Sequence, residues 1–129
     1  MSKQAIATNK APAAIGPYSQ GVRAGNLIFT AGQAAVDPAT QLVISGGITE
    51  QTKQTFENLK AILESGGASL AHVVKATVFL KDMNDFAAMN AVYSAYFTQA
   101  GGALPARTTV EAARLPKDVL VEIDMIAEL

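Results

Sequence analysis

Between Val119 and Ala127 the chain alternates Val119, Val121, Ile123 and Met125 with Leu120, Glu122, Asp124 and Ile126. Successive strand residues point to opposite faces, so a strand here carries apolar groups on both of its faces. If helices cover one face, the other also needs cover. The economical cover is a second copy of the same chain, and closed cyclic assembly is the usual form of such burial. Composition agrees. Charged residues make up 16% of the chain and hydrophobic ones 50%, against roughly 25% charged in an average soluble domain. Physics alone leaves the copy number open.

The remaining pattern supplies partners for that strand. With 129 residues the chain is expected to be one domain spanning 1–129. Gln4 to Ala7, Ser19 to Arg23 and Leu27 to Ala31 read as short strands, the last two joined through Ala24, Gly25 and Asn26. Phe56, Leu59, Ile62 and Leu63 recur at helical spacing within Thr49 to Ser65, with Thr49 as the expected N-cap and Gly66 and Gly67 as the stop. His72 to Lys81 alternates like a strand. A second helix begins at Asn84 or Asp85, carries the stripe Phe86, Met89, Tyr93, Tyr96 and Phe97, and ends before Gly101. Arg107 to Leu115 and Val119 to Ala127 close the chain around the turn Pro116, Lys117 and Asp118. The expected order is βββαβαββ, a two-layer α+β domain with both helices on one face of the sheet.

Several functions lack their residues. A formal charge of −1 gives no electrostatic footprint for a phosphate backbone, so nucleic acid is not an expected partner. No cysteine is present and there is one histidine, His72, which excludes a thiol nucleophile and a multi-histidine metal site. His72 reads as a boundary residue at a strand start. GxxxxGK, GxGxxG, GxSxG and HExxH are all absent. No segment approaches the ~18 apolar residues of a membrane span, and the N-terminal stretch carries no signal-peptide core. A soluble, cytoplasmic protein is the expectation.

Four residues remain with chemical potential. Arg107 opens a strand after Pro105 and Ala106; its guanidinium suits bidentate recognition of a carboxylate, or else it is an exposed or salt-bridged boundary arginine. Glu122 interrupts an apolar run. Partial burial would raise its pKa and fit it to take a proton from water, unless it simply faces outward beside Asp124. Asn90 borders the apolar stripe of the second helix, where an amide must bond either to structure or to a ligand. Tyr18 is a packing residue or a phenol that orients a polar substrate.

The chain then resembles a known family. Pro105-Ala106-Arg107-Thr108-Thr109-Val110-Glu111, with Ala113-Arg114-Leu115-Pro116 and Val121-Glu122-Ile123, is similar to the signature of the RidA family, also called YjgF/YER057c/UK114. Gly16-Pro17-Tyr18-Ser19-Gln20, Thr30-Ala31-Gly32-Gln33, Phe56-Glu57-Asn58-Leu59 and Met83-Asn84-Asp85-Phe86 followed by Asn90 extend the likeness over nearly the whole chain. The resemblance implies a chorismate-mutase-like fold, a homotrimer with ligand clefts between subunits, and cofactor-free hydrolysis of 2-imino acids or their enamine tautomers to 2-oxo acids and ammonia. It implies that Arg107 grips the substrate carboxylate and that Glu122 positions or activates water. Tyr18, Asn90 and Gly32 line the cleft by the same resemblance, with Ala31 and Thr109 also against the substrate. Ala31 stands where many members have serine, and Thr108-Thr109 where members often have Ser-Cys, which removes one hydroxyl contact and any role for a thiol. The alternatives within the resemblance are a 2-oxo-acid-binding trimer without turnover and an RNA-cleaving translation inhibitor.

Overall fold

The computed structural model describes residues 2–129. Its strands are β1 (Gln4–Ile6), β2 (Gly21–Ala24), β3 (Leu27–Thr30), β4 (Val73–Leu80), β5 (Ala106–Glu111) and β6 (Val121–Glu128), and its helices are α1 (Ile48–Ser65) and α2 (Phe86–Ala100). The expected order βββαβαββ holds, with short 3₁₀ turns at Leu70–His72, Met83–Asp85 and Pro116–Asp118. The six strands form one sheet in the order β1-β2-β3-β6-β4-β5. All neighbours are antiparallel except β4 and β5, which run parallel with α2 as their crossover.

Local chemistry moved some boundaries. Thr49 is not the cap of α1: the helix starts one residue earlier behind Gly47, whose N–H donates to Glu50 Oε1 at 2.8 Å. A carboxylate in the first turn thus satisfies the backbone N–H of the N-cap residue itself. β5 ends at Glu111, not Leu115, and β6 begins at Val121, not Val119. Between them Lys117 and Asp118 adopt left-handed backbone at φ 58° and 54°, which no strand continues through. Gly25, at φ 62°, makes the tight β2–β3 turn that a side chain would disfavour.

Both helices pack on one face. Phe56, Leu59, Ile62 and Leu63 of α1 and Met89, Tyr93 and Phe97 of α2 meet Ala76, Val78 and Leu80 of β4 and Val121, Ile123, Met125 and Ala127 of β6 in one continuous core. Fully burying such side chains contributes about 1.5–3 kcal/mol each before ordering costs. The opposite face is open. Paired strand residues share a face, so Phe29 with Ile126, Phe79 with Glu122 and Thr77 with Asp124 all point away from the helices. That face mixes Phe29, Ile126, Phe79 and Val110 with polar groups, and Lys75 Nζ donates to Thr108 Oγ1 at 2.9 Å across it.

Candidate functional site

Strand pairing decides where Arg107 points. It sits opposite Ala76, whose side chain is in the core, so Arg107 faces the helices from the edge strand β5. Phe86, Asn90 and Tyr93 meet it from α2, spaced so that they share one helix face. Arg107 Nη1 donates to Asn90 Oδ1 at 2.7 Å, and its central carbon lies 4.6 Å from the Tyr93 ring centre and 5.4 Å from that of Phe86. Two aromatic rings and an amide hold the guanidinium, which forms no ion pair among the described residues. Cation–π contacts of this kind contribute about 0.5–2 kcal/mol each. Burial pushes the Tyr93 hydroxyl up, partly opposed by the Arg107 charge. The Tyr93 hydroxyl and Thr109 Oγ1 are buried with no hydrogen-bond partner among the described residues. Arg107 is thus a fixed cation with most of its five donors uncommitted, an anchor suited to a planar anion.

Glu122 is built differently. It projects from β6 on the open face, and the loop after β3 closes over it. Gln33 and Ile123 exchange two backbone hydrogen bonds at 2.8 and 3.0 Å, which draws Gly32 against the carboxylate. A Cβ at Gly32 would lie 2.5 Å from Glu122 Oε2, so a side chain there would displace the acid. The carboxyl opens into a cleft of about 400 Å³ whose walls include Tyr18, Ala31, Gly32, Gln33 and Lys117. Tyr18 closes one end, its hydroxyl accepting from the Ile15 N–H at 3.3 Å. Burial, and then the nearby Asp124 charge, hold the Glu122 pKa above the ordinary carboxylate value. A half-buried carboxyl poised in this way is suited to general acid–base work.

The predicted residues therefore separate into two groups. Tyr18, Ala31, Gly32 and Glu122 share the cleft, whereas Asn90 and Arg107 meet under α2. Thr109 lies opposite Val78 on the same helix-facing side as Arg107. Within one chain the sheet stands between the two groups. A larger groove of about 540 Å³ along α1 contains none of these residues. His72 accepts the Ser69 N–H at 3.0 Å through Nδ1 in a boundary turn, as its position suggested. Sequence reasoning treated Phe86 and Tyr93 only as core and Lys117 only as turn. The signal for the aromatic pair was present, since both share the spacing that places Asn90 beside Arg107.

Comparison with known proteins follows the same lines. Residues 8–129 match the model of the family described as Endoribonuclease L-PSP. A RutC family protein of Pyrococcus abyssi is 59% identical over 127 residues, covering 98% of both chains. A protein of Salmonella typhimurium named 2-iminobutanoate/2-iminopropanoate deaminase is 54% identical, again covering 98% of both. Among solved structures, the YjgF gene product of E. coli superimposes with a TM-score of 0.93 at 52% identity, covering 97% of this chain and 98% of that one. E. coli TdcF with bound serine does so with a TM-score of 0.94 at 44% identity, covering 98% of both. With the helix-covered six-stranded sheet and these full-length likenesses together, the chain belongs to the Endoribonuclease L-PSP family, the RidA/YjgF family its sequence resembled.

Proposed function

We propose that this protein hydrolyses small 2-imino acids, such as 2-iminobutanoate and 2-iminopropanoate or their enamine tautomers, to 2-oxo acids and ammonia. The active site is completed when copies of the chain assemble as a homotrimer. The observation that carries this reading is the pair of complementary half-sites: an uncommitted guanidinium behind β5, and a carboxyl of raised pKa in a cleft on the opposite face. Neither is sufficient alone. A neighbouring copy whose β5 edge docks over the open face would bring Arg107 and Thr109 to the cleft of Tyr18, Ala31, Gly32 and Glu122. Such docking also covers Phe29, Ile126 and Val110.

The chemistry asks little beyond placement. Arg107 holds the substrate carboxylate through parallel N–H donors, kept in register by Asn90 and the two rings. This sets the electrophilic C2 beside Glu122. The carboxylate takes a proton from a water molecule as oxygen bonds to C2, forming a tetrahedral aminoalcohol. The protonated acid then returns a proton to nitrogen; as the C–N bond breaks, the hydroxyl gives up its proton through the Glu122 carboxylate to the departing ammonia and the carbonyl forms. One water is consumed and one ammonia released. Because an iminium carbon is already reactive, holding it beside an activated water supplies acceleration through proximity, and no cofactor is needed. Relatives such as the S. typhimurium protein carry the deaminase name at 54% identity, which supports the assignment. The family description points to RNA cleavage, but a formal charge of −1 offers little for a polyanion to bind.

The direct test generates the imine with a dehydratase and measures its trapping by semicarbazide with and without this protein. Faster imine loss with the wild type and none with Arg107→Ala is expected. Unchanged trapping with both proteins would sink the assignment.

A further inference from the structure

Strand β6 carries a second acid next to Glu122. Side chains alternate along a strand, so Glu122 and Asp124 share the open face with their Cα atoms about 7 Å apart. Pairing gives them different company. Phe79 stands directly across from Glu122, whereas Thr77 stands across from Asp124, with Lys75 at the next same-face position of β4. Lys75 Nζ donates to Thr108 Oγ1 at 2.9 Å. Neither acid forms an ion pair among the described residues.

These surroundings separate the two carboxyls. Burial raises the Asp124 pKa, but a hydrogen bond from the Thr77 side chain and the Lys75 charge oppose the rise. Burial and then the Asp124 charge raise that of Glu122, with no cation opposing. Asp124 therefore ionises first, and its charge is in place when Glu122 titrates. The remaining surroundings of Glu122 supply little to compete. Val110 of β5 pairs with Phe79, the loop after β3 brings Gly32 against the carboxyl, and Tyr18 and Lys117 are the other titratable groups of the cleft. In the assembled site Arg107 of a neighbouring copy joins them. A guanidinium close to Glu122 favours its ionised form and so weakens it as a base. A fixed anion two residues along the strand offsets that loss.

We propose that Asp124 is a positioning residue of the reaction that acts through Glu122, its carboxylate keeping Glu122 basic enough to take the proton from water while Arg107 is near. The inference rests on the deaminase reading. Asp124 touches no substrate and transfers no proton, so the reaction balance is the one already given.

The test measures kcat and kcat/KM for 2-iminobutanoate across pH in the wild type, Asp124→Asn and Asp124→Glu, against a protein-free control at each pH. Carbon-13 NMR titration of the Glu122 carboxyl, assigned with Glu122→Gln, accompanies it. Asp124→Asn should move both the acid limb of kcat/KM and the Glu122 titration down by about half to one pH unit. Its plateau kcat should fall by about twofold to threefold, because the weaker base is the poorer proton acceptor. Asp124→Glu keeps the charge and should stay close to the wild type in both. A purely structural role would lower activity without moving the limb. A limb and a carboxyl titration that stay in place or move up in Asp124→Asn overturn the role of Asp124 and leave the deaminase reading intact. If Asp124→Asn is inactive, the carboxyl titration decides on the same shift. Absence of imine hydrolysis by the wild type removes the deaminase reading and this inference with it.

Discussion

Arg107 is held by regular structure, whereas Glu122 is framed by loops. The arginine lies on β5 with α2 packed over it, so strand register and helix spacing fix its Nη1–Asn90 bond and both ring contacts. Glu122 also rises from a strand, but the walls around it come from the loops bearing Tyr18, Gly32, Gln41 and Lys117. In the proposed reaction the difference suits the two residues to separate tasks. A site that grips an invariant carboxylate benefits from a stiff anchor, and a site that accommodates variable side chains is better built of loops. Substitutions behind β5 should therefore impair all imines alike, and substitutions around the cleft should act unevenly.

The contrast can be broken most forcefully at the anchor. Arg107→Ala is expected to reduce kcat/KM for every imine by roughly 100- to 1,000-fold, since the carboxylate loses its charge-assisted donors. Arg107→Lys should restore only a small part, because an ammonium cannot reproduce the fork. Steady-state kinetics on two imines of different side-chain size would check this, and a loss confined to one imine would contradict the anchor role. Glu122→Gln should lower kcat by roughly 100-fold, the usual range for removing a general acid–base, with a smaller change in KM.

The pH profile sharpens the same point. In the proposed reaction the ionised carboxylate is the form that takes a proton from water, and burial raises its pKa. The acid limb of kcat/KM should thus lie above the ordinary carboxylate range, with activity falling as pH drops through it, and it should vanish in Glu122→Gln. The stability consequence has the opposite sign. A pKa raised on folding means that the folded state binds the proton more tightly, so the contribution of Glu122 is present at low pH and is lost as pH rises through the raised pKa.

Smaller effects are expected at the supports. Gly32→Ala places a Cβ 2.5 Å from Glu122 Oε2, and displacement of the acid should reduce kcat by about tenfold. Tyr93→Leu removes one ring from the guanidinium and should raise KM by about threefold to tenfold, with Tyr93→Phe close to the wild type. If Tyr93→Phe were as impaired as Tyr93→Leu, the hydroxyl and not the ring face would be the working part of Tyr93.

Much of this arrangement was legible before any coordinates. Alternation and helical stripes gave the order of eight elements because the core positions, such as Val121, Ile123 and Met125 against Leu59 and Ile62, follow the period of their elements. Boundaries were less legible where a single side chain decided them. Glu50 capping Gly47 moved the start of α1, and Leu120, whose N–H donates to Gln51 Oε1 at 2.9 Å, stands outside β6. Residues of the candidate site were individually visible, and the family likeness grouped them. Their division between two faces was not visible, because it follows from the parallel pairing of Ala76 with Arg107 and the antiparallel pairing of Phe79 with Glu122. Register between distant strands is not written in any local stretch of sequence.

On the proposed reading that division makes the site a property of an assembly of copies, and mixing two inactive variants tests it directly. Arg107→Ala and Glu122→Ala should each be inactive alone. After joint unfolding and refolding at equal concentration, random assortment in a ring gives about a quarter of the interfaces both an intact arginine from one copy and an intact glutamate from its neighbour. Recovery of about a quarter of wild-type imine hydrolysis is the predicted result. A mixture that assembles and remains inactive would contradict a site shared between copies.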